Sequence, residues 1–211
     1  MFSSVLQRLN DRRDAAGDAG EDAGFTLIEL MVVLLILAIL LAIAIPTFLG
    51  VTKSANDRAA QSNLNTGLIN AKSIFQTNSQ QYPVTATMVT SLTSAEPNLT
   101  FGTGATTYNT SGQQKVSVYV DPSATATLTG QGIILATQAK GGNCWYVIDN
   151  AVAETNGGVG FYGNGATGFP VAAGTWYGEA KANPGAQTCD PSAPQNAGAS
   201  VVYQQSNFPN L

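Results

Sequence analysis

The feature that most constrains this chain is an apolar run near its N-terminus. From Leu30 to Ile45 the sequence is LMVVLLILAILLAIAI, sixteen residues without a polar side chain. Extended back to Phe25, the segment has 21 residues and is interrupted only by Thr26 and Glu29. A helix of that length spans a hydrocarbon core of about 30 Å, and lipid offers no partners for an unpaired backbone. The sequence therefore predicts one membrane-spanning helix.

The composition limits the chemistry of the rest of the chain. The sequence has 211 residues, 10% of them charged, with a formal net charge of -4. Once the apolar helix and the residues before it are set aside, about 100 to 150 residues remain, enough for one globular domain. No run of Lys or Arg suits nucleic acid, and the chain has no His to serve as a general base or metal ligand. We therefore predict no catalytic residue, no enzymatic activity, no cofactor and no metal site.

Glu29 is the one acidic residue of the apolar segment. An ionised carboxylate in a membrane helix costs roughly 2.5 to 3.5 kcal/mol on insertion scales, so it requires compensation. In one interpretation, Glu29 lies near the interface and its carboxylate reaches water. In the other, it pairs with a cation. Cleavage after Gly24 would create one, because the new α-ammonium group of Phe25 would lie one helical turn away or on a neighbouring subunit.

The segment from residue 24 to residue 46 resembles the type IV prepilin signal in the residues Gly24, Phe25, Thr26, Leu27, Ile28, Glu29, Leu30, Met31 and Pro46. The resemblance implies that a prepilin peptidase removes residues 1–24 as a leader by cleaving the Gly24–Phe25 bond on the cytoplasmic side. The same enzyme is then expected to N-methylate Phe25. Glu29 matches the acidic residue that pairs with the N-terminal amine of an adjacent subunit during assembly.

The resemblance implies a structural role for the whole chain. It would be a pilin, a subunit of an extracellular type IV pilus filament that polymerises with identical or related subunits through helix 25–46. Before assembly, this single helix would hold the chain in the cytoplasmic membrane with the C-terminal domain outside, where a membrane assembly platform acts on it. The alternative within this architecture is a minor pilin or a pseudopilin of a secretion or DNA-uptake machine.

A second processing site competes with the first. Ala42, Ile43 and Ala44 form an A-x-A sequence at the end of the apolar run, as in a general secretory signal. Cleavage there would release a secreted soluble domain beginning at Ile45, with an enzymatic or binding role. That interpretation leaves Glu29 and its surroundings unexplained.

Beyond the apolar run, residues 47–77 are expected to continue the helix as an amphipathic segment. Pro46 lacks an amide N–H, so a kink or local unwinding is expected there. The resemblance implies that this proline coincides with a melted stretch in assembled filaments. Apolar residues then recur at spacings of three or four, the pattern of a helix that covers a sheet, at Phe48, Val51, Ala55, Ala59, Ala60, Leu64, Leu68, Ala71 and Phe75.

The rest of the chain predicts an antiparallel sheet. Residues 78–114 are expected to form a connecting loop region with at most one short helix around 87–92. Strands are expected at 115–120, 132–139 and 144–149, with further pieces at 159–162, 175–179 and 201–205. The fold class is therefore α+β. A long N-terminal helix, apolar in its membrane half and amphipathic in its second half, packs on a C-terminal antiparallel sheet domain in residues 115–211.

The two cysteines of the chain, Cys144 and Cys189, both lie in its last third. An even count in a domain predicted outside the cytoplasm suggests one disulfide, and the alternative is a pair of buried free thiols. A crosslink closing a loop of this size contributes roughly 3 to 4 kcal/mol by the chain-entropy model. The resemblance implies the same pairing, since many type IV pilins close a C-terminal loop with a disulfide.

Overall fold

The computed structural model describes residues 25–104, 115–120, 130–153, 170, 172–181, 189–192 and 201–209. The chain forms two compact units, Met1–Phe48 and Leu49–Leu211. Helix α1 (Leu27–Thr77) begins in the first unit and continues into the second, where it packs on a β-sheet. The α+β class predicted from the sequence is therefore confirmed. The strand expected at 159–162 lies outside the described residues.

Helix α1 runs through Pro46 without a break in its α-helical assignment. The local unwinding that was one of the two expectations for this residue is therefore not seen in the isolated chain. The hydroxyl of Thr47 donates to the carbonyl oxygens of Ile43 at 3.1 Å and Ala44 at 2.9 Å, so the turn before the proline gains side-chain hydrogen bonds. The melting that the resemblance implies concerns assembled filaments and stays a prediction.

The second half of α1 packs on the sheet through small and aliphatic side chains. Gly67 is part of this face, and a Cβ atom on it would lie 3.2 Å from Cδ1 of Leu135, so the helix backbone approaches the sheet closely there. The other buried apolar residues of the face are at most 6% exposed: Ala60, Leu64, Leu68 and Ala71. Phe75 is partly buried against the same cluster. These positions agree with the predicted stripe.

The first part of the predicted stripe is wrong. Phe48 and Val51 are each 69% exposed, and Ala55 and Ala59 are also exposed. In this turn of the helix the buried position belongs instead to Asp57, which is 1% exposed. A carboxylate is tolerated there because the sheet supplies donors to it, as described below. Spacing alone places apolar residues on a face and does not anticipate a buried acid.

A short helix and a sheet follow α1. Helix α2 (Thr85–Ala95) is longer at both ends than the short helix expected around residues 87–92. Six strands are present among the described residues and lie side by side in chain order: β1 (Thr100–Gly102), β2 (Lys115–Val120), β3 (Gly132–Gln138), β4 (Cys144–Asn150), β5 (Gly174–Ala180) and β6 (Val202–Gln205). Neighbours in the sheet are therefore also neighbours along the chain.

The pairing is antiparallel from β2 to β6 and parallel between β1 and β2. The parallel pair, with Thr100 opposite Lys115, departs from the predicted all-antiparallel sheet, and β1 lies inside the region expected to be a connecting loop. Its three residues are too few to show an alternating pattern. Burial of Phe101 among the core residues beneath α1 accounts for the position of β1.

The central strands are buried on both faces of the sheet. One face meets the helices through residues such as Val116, Val118, Leu135, Trp145 and Val147, and the other face has its own cluster of Ile134, Ala136, Tyr146 and Ile148. A disulfide joins Cys144 on β4 to Cys189, with Cα atoms 5.4 Å apart and both residues fully buried in this second cluster. The crosslink therefore ties the C-terminal region to the face of the sheet away from the helices.

Candidate functional site

The N-terminal half of α1 exposes a continuous apolar surface. Every large apolar side chain from Phe25 to Ile45 is at least 47% exposed. Within the described part of the chain, α1 is the one helix that is long and apolar enough to cross a membrane, and none of its most apolar window is buried in the structure. A patch of this size is far larger than a soluble monomer normally exposes to water. The segment therefore needs lipid or another apolar surface as its surroundings.

The carboxylate of Glu29 accepts hydrogen bonds from Thr26, the residue just before the start of α1. Thr26 donates to Oε2 of Glu29 twice, from its backbone N–H at 2.8 Å and from its hydroxyl at 2.7 Å. In return, the backbone N–H of Glu29 donates to the hydroxyl oxygen of Thr26 at 3.3 Å. This reciprocal arrangement is a capping box, in which the N-cap and the third helical residue satisfy each other's backbone groups. Glu29 therefore fixes the start of α1.

The capping box changes the interpretation of Glu29. Sequence reasoning expected either exposure to water or a cationic partner and did not consider Thr26, although T-x-x-E at residues 26–29 is itself a helix-start signal. Hydrogen bonds to a charged group are stronger than those between neutral groups, so they offset part of the cost of placing the acid in an apolar helix. Both bonds from Thr26 end on Oε2 and neither uses Oε1.

A buried network fastens the second half of α1 to the sheet. Oδ1 of Asp57 accepts a hydrogen bond from Nε1 of Trp145 at 3.0 Å, and Oδ2 accepts one from Nδ2 of Asn143 at 3.2 Å. All three residues are at most 3% exposed. We call this set the Asp57 network. It gives each carboxylate oxygen a donor, which is the condition for keeping a charge in a protein interior.

A second network holds the C-terminal end of α1. Asp149 on β4 accepts from the hydroxyls of Tyr82 and Thr175, both at 2.6 Å, and forms an ion pair with Lys72 of α1 at 2.9 Å. Lys72 also donates to Thr175 at 2.7 Å. Burial, followed by the charge of Asp149, raises the pKa of Tyr82, so this tyrosine stays a neutral donor. The carboxylate is committed to three donors, which suits a structural role better than proton transfer.

The structure places the sequence-predicted residues in separate regions. Phe25 is 82% exposed and precedes the capping box, Pro46 lies inside α1, and Cys144 and Cys189 are bonded to each other. Gly24 lies outside the described residues. The described residues contain no group of three or more Cys, Asp or Glu side chains arranged to hold a metal ion. Asp57, Asn143, Lys72 and Tyr82 went unnoticed in the sequence, because nothing local distinguishes a buried polar residue from an exposed one.

Comparison with known proteins bears on the N-terminal segment. Residues 21–45 match the family model described as the prokaryotic N-terminal methylation motif. No match to the chain was found among curated proteins or among solved structures. The motif indicates a type IV pilin-like protein that is processed by a prepilin peptidase, and together with the apolar helix it indicates membrane anchoring before assembly. It includes Gly24, Phe25 and Glu29 and ends one residue before Pro46.

Proposed function

We propose that this chain is a structural subunit of an extracellular type IV pilus filament. In this proposal residues 1–24 are a leader, the bond between Gly24 and Phe25 is cleaved, and the new Phe25 amine is methylated. The observation that carries the proposal is the unburied apolar half of α1, whose single acid, Glu29, lies in the first helical turn. A helix that must leave lipid for a filament can keep its apolar surface only by packing against copies of itself.

Glu29 supplies the specificity of assembly in this proposal. Thr26 satisfies Oε2 while the subunit waits in the membrane, and Oε1 is not engaged by Thr26. The N-terminal ammonium of an incoming or adjacent Phe25 is the cation that would complete the site. A carboxylate and an ammonium in a low-dielectric helix bundle attract each other much more strongly than they do in water, so the pair would set the axial register of neighbouring helices.

Substitution of Glu29 tests the proposal. Glu29→Ala should insert into the membrane at least as well as the unaltered chain, because it removes the cost of the acid, and yet should not enter filaments. Glu29→Gln separates charge from hydrogen bonding, since the amide still accepts from Thr26 but cannot attract an ammonium. Filaments are sheared from cells that make each variant, and the amount of subunit recovered in them is measured. Normal incorporation of Glu29→Gln would contradict the pairing role.

The composition of sheared filaments also separates the pilus subunit from its alternatives. A major pilin should account for most of the filament mass, whereas a minor pilin or a pseudopilin of a secretion or DNA-uptake machine should contribute a small share or none. A secreted soluble domain would be found in the medium without the apolar residues 25–44. Quantitative mass spectrometry of sheared material and medium therefore distinguishes the three cases in one preparation.

A further inference from the structure

A cleft of about 420 Å³ opens in the second unit between α1 and the ends of two strands. Its lining includes Gly50 and Lys53 of α1, Asn143 before β4, Glu179 at the end of β5 and Lys181 just after β5. Two members of the Asp57 network, Asp57 and Asn143, also line the cleft. None of this cleft is used by the assembly role proposed for the apolar half of α1.

The inner end of the cleft contains an acceptor without a donor. Glu179 pairs with Trp145 across β5 and β4, so its side chain lies on the sheet face that meets α1. It is 4% exposed, and its Oε1 is fully buried with no hydrogen-bond partner among the described residues. The nearby carboxylate of Asp57 is already engaged by Trp145 and Asn143. A buried, unpaired carboxylate oxygen is costly, and a ligand with an N–H donor would remove that cost.

The outer end of the cleft is positively charged. Lys53 and Lys181 are both exposed, and the charges of both act on Glu179 to oppose the rise in its pKa that burial causes. The stem of Lys53 lies over Gly141, where an added Cβ would be 3.0 Å from its Cγ. The charges are therefore layered, with an acid inside and two ammonium groups outside. A zwitterion with a small cationic end and an anionic neighbour matches this order.

The position of the cleft in the chain puts it close to a lipid surface. Lys53 follows Ile45, the last residue of the apolar run, by eight residues, about 12 Å of α-helical chain. Leu49 and Val51, on either side of Gly50, are 62% and 69% exposed. Lipid headgroups occupy roughly the outer 5 to 8 Å on each side of the hydrocarbon core. The Cα atom of Lys53 in an anchored subunit therefore lies about 4 to 7 Å beyond the headgroup layer, and its long flexible side chain extends back toward the lipid phosphates.

We propose that this cleft binds the phosphoethanolamine headgroup of a membrane lipid, with the ammonium donating to Oε1 of Glu179 and the phosphate held by Lys53 and Lys181. The inference rests on the proposed function, because the anchored precursor is what brings the cleft to the bilayer. An ethanolamine ammonium has three N–H donors, whereas a choline group has none and is wider. A headgroup with a net negative charge and no cation would bring no positive charge to the buried carboxylate.

The bound headgroup would act as a brake on assembly. While it is in place, it anchors the start of the globular unit to the bilayer through Glu179, Lys53 and Lys181. Extraction of the subunit into a filament would release the lipid and leave the carboxylate of Glu179 unpaired again. Lipid composition would then influence how readily subunits leave the membrane, without any change in the apolar helix.

Lipid retention by the full chain tests the proposal. The precursor is inserted into nanodiscs of phosphatidylcholine that contain equal minor fractions of phosphatidylethanolamine and phosphatidylglycerol. The nanodiscs are then disrupted gently, and native mass spectrometry identifies the lipid that stays bound to the chain. We expect one phosphatidylethanolamine to be retained in preference to the other two. Glu179→Gln should weaken retention about tenfold or more, because a hydrogen bond to a charged group contributes at least that factor. The proposal would be overturned if the unaltered chain retained the three lipids equally. It would also be overturned if Glu179→Gln retained phosphatidylethanolamine as well as the unaltered chain does.

Matched variants separate the site from general electrostatics. Lys53→Gln with Lys181→Gln should also lose preference, whereas Lys140→Gln removes one exposed positive charge outside the cleft and should leave it unchanged. Gly141→Ala displaces the stem of Lys53 without altering any charge and should weaken retention. Circular dichroism and an intact disulfide establish that each variant is folded. If Lys140→Gln lost the lipid preference to the same extent, the effect would be due to nonspecific charge and the proposal would be wrong.

Competition with soluble compounds identifies the chemistry recognised. Free phosphoethanolamine should displace the lipid, and inorganic phosphate should do so only at much higher concentration. Equal competition by phosphate would mean an anion site alone and would contradict the role of Glu179. The test needs only insertion, so it is independent of filament formation. A precursor recovered outside the nanodiscs would instead contradict the membrane anchoring on which the proposed function depends, while phosphoethanolamine binding to that material would still support the cleft.

Discussion

Removal of the Asp57 carboxylate should cost more than the loss of any other polar side chain on the second half of α1. In Asp57→Ala, the indole N–H of Trp145 loses its acceptor and the side chain of Asn143 loses its bond to the carboxylate, at positions that are at most 3% exposed in the unaltered chain. A buried donor left without a partner costs about 1 to 3 kcal/mol. We therefore expect Asp57→Ala to lower the free energy of unfolding of the second unit by about 2 to 4 kcal/mol, a large share of a normal domain's total.

Asp57→Asn distinguishes the two contributions to this cost. The amide keeps the size of the side chain and one accepting oxygen, so the bond from Trp145 is retained and the bond from Asn143 is weakened. The expected loss is about 1 to 2 kcal/mol. A double-mutant cycle with Trp145→Phe should give a coupling energy of about 1 kcal/mol or more, because the two side chains share one hydrogen bond. Ser62→Ala, at an exposed position of the same helix, is the matched control and should change stability little.

The assay is denaturant unfolding of the full chain in detergent micelles, followed by circular dichroism, with the disulfide intact. The micelle shields the apolar helix, so the transition reports the second unit. A loss below about 0.5 kcal/mol for Asp57→Ala, equal to that of an exposed substitution, would show that α1 is not fastened to the sheet by this carboxylate.

Three further comparisons have expected outcomes. Cys189→Ser should lower the free energy of unfolding by roughly 3 to 4 kcal/mol without affecting leader removal, and the unaltered chain under reducing conditions should be as unstable as this variant. Equal melting temperatures of the variant and the unaltered chain in oxidising buffer would count against the crosslink. Gly67→Ala should destabilise the chain despite a better helix propensity, because its Cβ would lie 3.2 Å from Leu135, whereas Gly50→Ala meets nothing within 4 Å and should be neutral or stabilising; the reverse order would be inconsistent with the observed packing. Burial raises the pKa of Glu179 above its ordinary value of 4.5, so the stability due to its protonated form is lost as the pH rises. Lipid-free Glu179→Gln should therefore be more stable than the unaltered chain at neutral pH and equal to it well below pH 4.5, and a constant difference across this range would contradict the effect.

Much of the fold follows from patterns that are local in the sequence. Alternating valines predict β2, whose bounds match at 115–120. The predicted bounds of β3, β4 and β6 differ from the observed ones by one residue at one end, and those of β5 by one residue at each end. The apolar run and the spacing that follows it predict α1. These predictions succeed because strand and helix periods repeat over several residues. Strand β1 was missed because three residues cannot show a period.

The polar contacts of the second unit were harder to predict. Asp57 and Lys72 are charged residues on a helix, which ordinarily indicates a solvated face. Their partners, Trp145 and Asp149, lie more than seventy residues away in sequence and become neighbours only when β4 packs beneath α1. The contact between Thr26 and Glu29 is different, because it is a local signal that the sequence displays at the spacing of a capping box. Glu179 illustrates the remaining difficulty, since its burial depends on the whole helix–sheet interface.

In the proposed processing pathway the apolar helix is kept and Phe25 becomes the N-terminus. This is tested by mass spectrometry of the subunit from sheared filaments, with fragmentation of its N-terminal peptide. The mature chain should begin at Phe25 and carry a methyl group on its α-amine. A mature chain that begins at Ile45 and is found only as soluble protein in the medium would contradict it.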